Sequence, residues 1–250
     1  MRVTLEIAVS TPEEAIAAVQ AGADRLELSA GLELGGLTPS LGVFEQVRKR
    51  VDVPIWVLLR PRSGGFQYSE DELTAILRDA DYFIRAGAAG LVFGSLDAHD
   101  RVPEDACRRL IALAPKRVAF HRAFDFAVDS ARVLEQIIAL GFVRVLTSGG
   151  RERALDGAGL IADLIARAAG RIAIMPGGGV RPENVAELIR STGCSEVHAA
   201  ARAPVRDAGL ARNPPLARAM GAGADCTTFA TNAAFVAGIR RELDRLSSLP

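Results

Sequence analysis

His121, Arg122 and Asp125 follow directly on the apolar run Val118-Ala119-Phe120, inside the stretch Arg117 to Asp125. Such a run reads as a buried strand, and polar groups delivered at its C-terminal end point to water or a ligand in a β/α protein. Four other strand-like runs deliver comparable groups. Glu6 lies within the first, Glu27 near the end of the second, Arg60 and Arg62 at the end of the third, and His198 at the end of the eighth. Two carboxylates, two imidazoles and a guanidinium around one cavity can divide acid and base roles between groups of different pKa. The candidate catalytic set is therefore His121, Glu6, Glu27, Arg60, His198 and Asp125. His121 is the favoured acid or base, with Asp125 either orienting it or capping the loop. Arg60 is expected to grip Glu27 or a substrate anion with two prongs. The same residues equally allow a buried ion network without a reaction. His121 and His198 with Glu6 or Glu27 also have the chemistry to hold a divalent ion, but no metal ligand set is assigned.

A second signal comes from glycine-rich turns. Ser148-Gly149-Gly150 follows the sixth strand, and Gly177-Gly178-Gly179 follows the seventh and precedes a helix. Backbone amides in such turns suit a phosphate or carboxylate, and the position is where barrel enzymes hold phosphate. With Arg62 these residues form the candidate anion-binding set, while tight packing of loop on loop explains the glycines equally well. Schiff-base chemistry is disfavoured: the only lysines are Lys49 and Lys116, and Lys116 precedes its strand.

These side chains need a scaffold that gathers strand ends. Strands are expected at Val3–Val9, Ala23–Ser29, Pro54–Leu59, Gly90–Gly94, Arg117–Phe120, Val143–Leu146, Ile172–Met175 and Glu196–Ala199. Helical segments alternate with them; Thr11 precedes Pro12, and Ser69 with Glu72 makes a capping-box spacing. The strands are short and almost continuously apolar, as parallel strands covered by helices are. Eight such units predict a single (β/α)₈ barrel over residues 1–250, with a doubly wound sheet as the alternative. Residues 201–231, rich in proline and glycine, are expected to be irregular, and to act as a lid or an interface before a last helix at Asn232–Leu246.

The chain has 250 residues with 30 basic and 30 acidic side chains, so nothing points to nucleic acid. The opening has no secretory core and no apolar run reaches membrane-spanning length. Cys107, Cys194 and Cys226 are odd in number and scattered, which fits a reducing cytoplasm and offers no zinc-like spacing. Expected partners are a small anion or sugar-like molecule.

Taken together, several motifs resemble the CutC family, named for copper homeostasis. They are Asp24-Arg25-Leu26-Glu27-Leu28, Gly35-Gly36-Leu37-Thr38-Pro39-Ser40, Arg60-Pro61-Arg62-Ser63-Gly64-Gly65-Phe66, Phe120-His121-Arg122-Ala123-Phe124-Asp125, Leu146-Thr147-Ser148-Gly149-Gly150 and Glu196-Val197-His198. The resemblance runs from the first strand into the final helix. It implies a cytoplasmic barrel, often a homodimer, with a role in copper tolerance and distribution. It also implies shared mouth residues at Glu6, Glu27, Arg60, His121 and His198. Some members carry cysteines in the opening strand and at the end of the second; here those positions are Ala8, Val9 and Ser29. Copper as a cofactor is thus implied by the family name alone. The other reading is a barrel enzyme doing acid–base chemistry on a small polar, phosphorylated or sugar-like substrate.

Overall fold

The structure, a computed structural model, describes residues 2–97, 99, 101–223 and 225–247. Eight parallel strands alternate with helices: β1 (Thr4–Val9), β2 (Arg25–Leu28), β3 (Ile55–Leu58), β4 (Gly90–Phe93), β5 (Val118–Phe120), β6 (Arg144–Thr147), β7 (Ala173–Pro176) and β8 (Glu196–Ala199). The hydrogen-bonded order is β7-β6-β5-β4-β3-β2-β1-β8, and a parallel bridge from Gly177 to His198 joins the two ends. This is the expected (β/α)₈ barrel in one domain. Boundaries differ from the sequence reading by a few residues, as helix and strand ends usually do. Among the described residues no helix is long and apolar enough to cross a membrane.

The connecting helices form where caps and apolar stripes dictate. Thr11 caps α1 (Pro12–Gln20) by accepting from Glu14 N, with Pro12 at the first position. Ser69 and Glu72 close a reciprocal capping box on α3 (Glu70–Arg85). Around the ring follow α2 (Leu41–Arg48), α4 (Glu104–Leu113), α5 (Ser130–Leu140), α6 (Ala158–Ala168) and α7 (Val185–Thr192).

Strand alternation sorts side chains into two cores. Leu5, Ile7, Val9, Leu26, Leu28, Ile55, Val57, Leu91, Phe93, Phe120 and Val145 face outward and pack beneath the helices in one large cluster. Trp56, Leu58, Val92 and Ala119 form a separate cluster inside the barrel. The inward parity therefore also holds Glu6, Arg25, Glu27, Arg60, His121, Arg144, Glu196 and His198. A barrel interior is usually filled by branched apolar residues; this one is largely ionic.

β4 makes room for it. A methyl group at Gly90 would lie 2.6 Å from the Trp56 ring, and one at Gly94 would lie 2.4 Å from His121 Nδ1. The two glycines thus accept rings from the strands on either side.

Residues 201–231, expected to be irregular, carry an antiparallel ribbon. β9 (Arg202–Arg206) pairs with β10 (Thr227–Thr231), placing Phe229 opposite Pro204. Thr227, Thr228 and Phe229 are strand formers, and a two-stranded ribbon tolerates the proline that a central strand would not. Between the ribbon strands lies α8 (Pro214–Ala219), capped by Asn213. The ribbon is tied to α1, where Glu14 Oε1 accepts from Thr231 N at 3.0 Å. The final helix is α9 (Ala233–Ser247).

Candidate functional site

The register sets Glu6 level with Arg25 on β2 and with His198 on β8. Arg25 Nε donates to Glu6 Oε2, and its NH2 reaches Glu196 Oε2 at 2.7 Å and Met175 Sδ at 3.3 Å. Arg144 donates to both oxygens of Glu196. Both guanidinium groups also approach the Trp56 ring, its centroid 4.6 Å from Arg144 Cζ and 5.9 Å from Arg25 Cζ. On the other side of Glu6, its Oε1 meets His198 Nδ1 at 2.8 Å. One donor atom each from Glu6, Glu27 and His198 lie within 4.8 Å of one another, and all three residues are buried.

These surroundings push the three groups in different directions. Burial alone would raise the Glu6 pKa, but the Arg25 charge, then the hydrogen bond and charge of His198, hold it well below the usual carboxylate range. Glu27 makes no ion pair with Arg25 as Glu6 does. Burial pushes it up to about 7, with His198 pulling it down and Glu6 adding a smaller rise. Burial lowers His198, but the charge of Glu27 and the hydrogen bond and charge of Glu6 outweigh it, so its pKa is raised. Glu196 stays low because Arg144 and Arg25 overcome its burial.

Nearer the rim stand Arg60 and His121. Arg60, expected to grip Glu27 or a substrate anion, instead donates to three carbonyls: Leu34 at 2.8 Å, Gly36 at 2.9 Å and Gly64 at 2.7 Å. The cation beside the buried Glu6 is Arg25, which is nearer along the register. Arg60 also stacks on Phe66, which contacts His121 and Phe126 in turn. His121 Nδ1 accepts from Ala123 N at 3.1 Å, so its proton sits on Nε2. Burial, and then the Arg60 charge, lowers its pKa to about 3. His121 is accordingly neutral near pH 7, with its Nε2–H as a hydrogen-bond donor. Four buried polar atoms here have no hydrogen-bond partner among the described residues: Glu27 Oε2, Ser29 Oγ, Arg60 Nε and His121 Nε2. A cleft of about 480 Å³ opens at Phe66, the ring that touches Arg60 and His121, and is lined also by Gln67, Leu96, Asp97, Phe126 and Val128.

Asp125 does not orient His121. The 3₁₀ turn at Arg122–Phe126 folds its carboxylate back onto the end of β6. There it accepts from Thr147 Oγ1 at 2.5 Å, Ser148 N at 3.0 Å, Ser148 Oγ at 3.0 Å, Gly150 N at 3.2 Å and Arg122 Nε at 2.7 Å. The amides of Ser148 and Gly150 thus hold an anion, and that anion belongs to the protein. Gly149 N donates to Thr147 Oγ1 and Gly177 N to Thr147 O. A methyl group at Gly149 would lie 2.4 Å from Gly157 O, which is why loop packs on loop here. The Gly178 carbonyl accepts from Ala154 N in the loop after β6, and the Gly179 carbonyl braces its own loop by accepting from Asn184 Nδ2. Arg62 turns away from the mouth to Glu72 and the carbonyls of Ser63, Gly65 and Gln67.

Sequence reading missed Arg25, Trp56, Arg144 and Glu196. The signal was there: Arg25 precedes Glu27 by two, and Glu196 precedes His198 by two, so each pair shares a strand face.

The fold, with its buried ionic interior and with Arg60, His121 and His198 at the C-terminal strand ends, defines a TIM-barrel protein. Residues 3–203 match the model of the CutC family, and the chain belongs to that family. A Xylella fastidiosa CutC family protein is 47% identical over 224 residues, covering 89% of this chain and 84% of its own. The human protein named copper homeostasis protein cutC homolog is 41% identical over 238 residues, 94% of this chain and 86% of its own. The solved CutC structure from Streptococcus agalactiae superimposes with a TM-score of 0.75 at 29% identity, covering 79% of this chain and 98% of that one. Phosphoribosyl anthranilate isomerase from Thermotoga maritima, at 15% identity and a TM-score of 0.59 over 97% of this chain and 99% of its own, shares the fold.

Proposed function

We propose that this protein serves copper homeostasis, the role in the names of its human and Streptococcus agalactiae relatives, without carrying copper(I) inside the barrel. The observation behind the first half is the family match over residues 3–203, which spans Glu6, Glu27, Arg60, His121 and His198. The second half rests on donor chemistry. Copper(I) selects thiolate and thioether sulfur, whereas the barrel offers carboxylates and imidazole. Cys107 lies in α4, Cys194 just before β8, and Cys226 just before β10, each buried. Burial pushes the Cys107 thiol up to about 12 and raises Cys194, so both resist becoming thiolates. The Met175 sulfur is already engaged by Arg25. The residues present do not fit copper(I).

The same reading places the protein in the cytoplasm as a homodimer, which fractionation and light scattering test. Copper sensitivity of a deletion strain, complemented by wild type but not by Glu27→Gln, is the expected result; full tolerance in the deletion strain overturns the role. Titration with copper(I) against a competing chelator under reducing conditions should show no tight binding by the barrel. A tight site that survives Cys107, Cys194 and Cys226 all changed to Ser overturns that half.

One observation favours a second reading, acid–base chemistry on a small polar substrate. Arg60 Nε and His121 Nε2 are buried donors awaiting an acceptor, and Glu27 Oε2 is a buried oxygen awaiting a donor. A ligand carrying a carbonyl or anionic oxygen and a hydroxyl satisfies both. Turnover of such compounds, lost on His121→Asn without loss of folding, supports it; no turnover across sugar phosphates and small keto acids counts against it.

A further inference from the structure

We propose that Glu27, His198 and Glu6 form a site for one divalent transition-metal ion, in which the ion replaces the proton between His198 Nδ1 and Glu6 Oε1. The ligand atoms are already gathered: one from each residue within 4.8 Å, with Nδ1 and Oε1 2.8 Å apart. Two ligands bound to one ion at about 2.0–2.2 Å lie roughly 3 to 3.5 Å apart, so the pair needs to part by about half an ångström. Arg25 anchors the other Glu6 oxygen, which keeps Oε1 directed at the imidazole.

An independent observation points to a ligand. Glu27 is 6% exposed, and its Oε2 has no hydrogen-bond partner among the described residues. An oxygen in that position is costly to bury unless something binds it. Charge leads the same way. Glu6 and Glu196 are matched by Arg25 and Arg144, which leaves Glu27 with His198 as its main counter-charge and a smaller pull from Arg25. A divalent cation answers it fully, and the net positive charge left over suits a water-derived hydroxide or a small anion as a further ligand. Three protein ligands leave a position open for that ligand. On the same inward parity of β2, two residues toward the mouth, Ser29 is fully buried with its Oγ unpartnered.

One nitrogen and two oxygens suit zinc and its neighbours in the first transition row, and they exclude copper(I). The site does not rest on the copper-homeostasis role: a zinc site can stand if the copper phenotype fails, and the phenotype can stand if zinc does not bind.

The test is titration of the intact chain with Zn²⁺ by calorimetry in buffers of different ionisation enthalpy, paired with visible absorption of the Co²⁺ form. The expected result is one ion per chain, proton release on binding, and a Co²⁺ spectrum without a thiolate charge-transfer band. Glu27→Gln and His198→Asn should each weaken Zn²⁺ at least about tenfold, and changing all three cysteines to Ser should leave affinity unchanged. Absence of stoichiometric binding, a thiolate band, or an affinity indifferent to Glu27→Gln overturns the proposal. Glu27→Gln preserves shape, and the wild-type Co²⁺ spectrum needs no variant, so a misfolded His198→Asn does not blunt the test.

Discussion

Replacing Asp125 by alanine should turn the end of β6 into a binding site for an external anion. Asp125 is almost fully buried, its side chain 5% exposed, and its carboxylate collects donors from Thr147, Ser148, Gly150 and Arg122. Gly150 is exposed and Arg122 partly so, and water can replace the carboxylate for those two. The Thr147 hydroxyl and the Ser148 amide are buried and have no such recourse. Leaving two buried donors unsatisfied at about 1–3 kcal/mol each gives roughly 4 kcal/mol of lost stability. In a chain of this length that corresponds to a melting temperature lower by about 10 °C. The vacated cradle keeps its amides in place, so formate or acetate should bind there and restore part of the loss. At about 100 times its dissociation constant an anion returns roughly 2.7 kcal/mol. The assay is a thermal melt of wild type, Asp125→Ala and Asp125→Asn in rising formate or acetate, with chloride at matched ionic strength as control. Asp125→Asn, which keeps one acceptor oxygen, should fall between the other two. A loss in Asp125→Ala below about 3 °C, or a rescue that stabilises wild type equally, would refute the claim that this loop is built around a carboxylate.

Arg25→Met leaves Glu6 with His198 alone and takes one of two cations from Glu196, and should cost about 3–5 kcal/mol. Adding Glu6→Gln should recover part of it, a coupling that urea melts of the four-member cycle will read. His121 should show itself in acid. Its pKa is lowered by burial to about 3, so the unfolded chain takes up a proton that the native state refuses. Its contribution to stability therefore falls as pH drops from about 6.5 towards 3, with a slope near 1.4 kcal/mol per pH unit. The difference in stability between wild type and His121→Gln, measured against pH by denaturant melts, should carry that slope; a flat difference rules it out. Gly94→Ala drives a methyl group into His121 Nδ1. The expected cost is about 1–3 kcal/mol, with a crystal structure showing the ring displaced from Ala123 N; an unmoved ring would contradict the packing described.

How far the sequence carried differs between elements for physical reasons. Eight apolar runs spaced by capped helices leave few alternatives to a barrel, because parallel strands must be covered on the outside. Closure then makes β1, β2 and β8 neighbours, and that alone brings Glu6, Glu27 and His198 together. Arg25 and Arg144 fall inside the strands expected at Ala23–Ser29 and Val143–Leu146, and Glu196 opens its own, but a charge in a short run does not say which face of the strand it takes. Only the register turns them inward beside Trp56. The roles of Arg60 and Asp125 depend on loop paths. A 3₁₀ turn that folds a carboxylate back on the next strand, and a guanidinium that finds three carbonyls in two loops, leave no periodic mark in the chain.

Those two residues also decide how the mouth can open. Arg60 fastens the loop at 34–36 to the loop at 64, and Asp125 fastens the turn at 122–126 to the loop at 147–150. One clasp is a cation gripping carbonyls; the other is an anion gripping amides. Each half of the rim is locked within itself, and none of these bonds joins one half to the other. Where the two halves meet, Phe66 and Phe126 face each other with ring centroids 5.5 Å apart. A molecule entering there parts two aromatic rings instead of breaking either clasp. Its rate of entry should accordingly follow the size of those side chains and be nearly blind to salt, even though what awaits it inside is almost wholly charged.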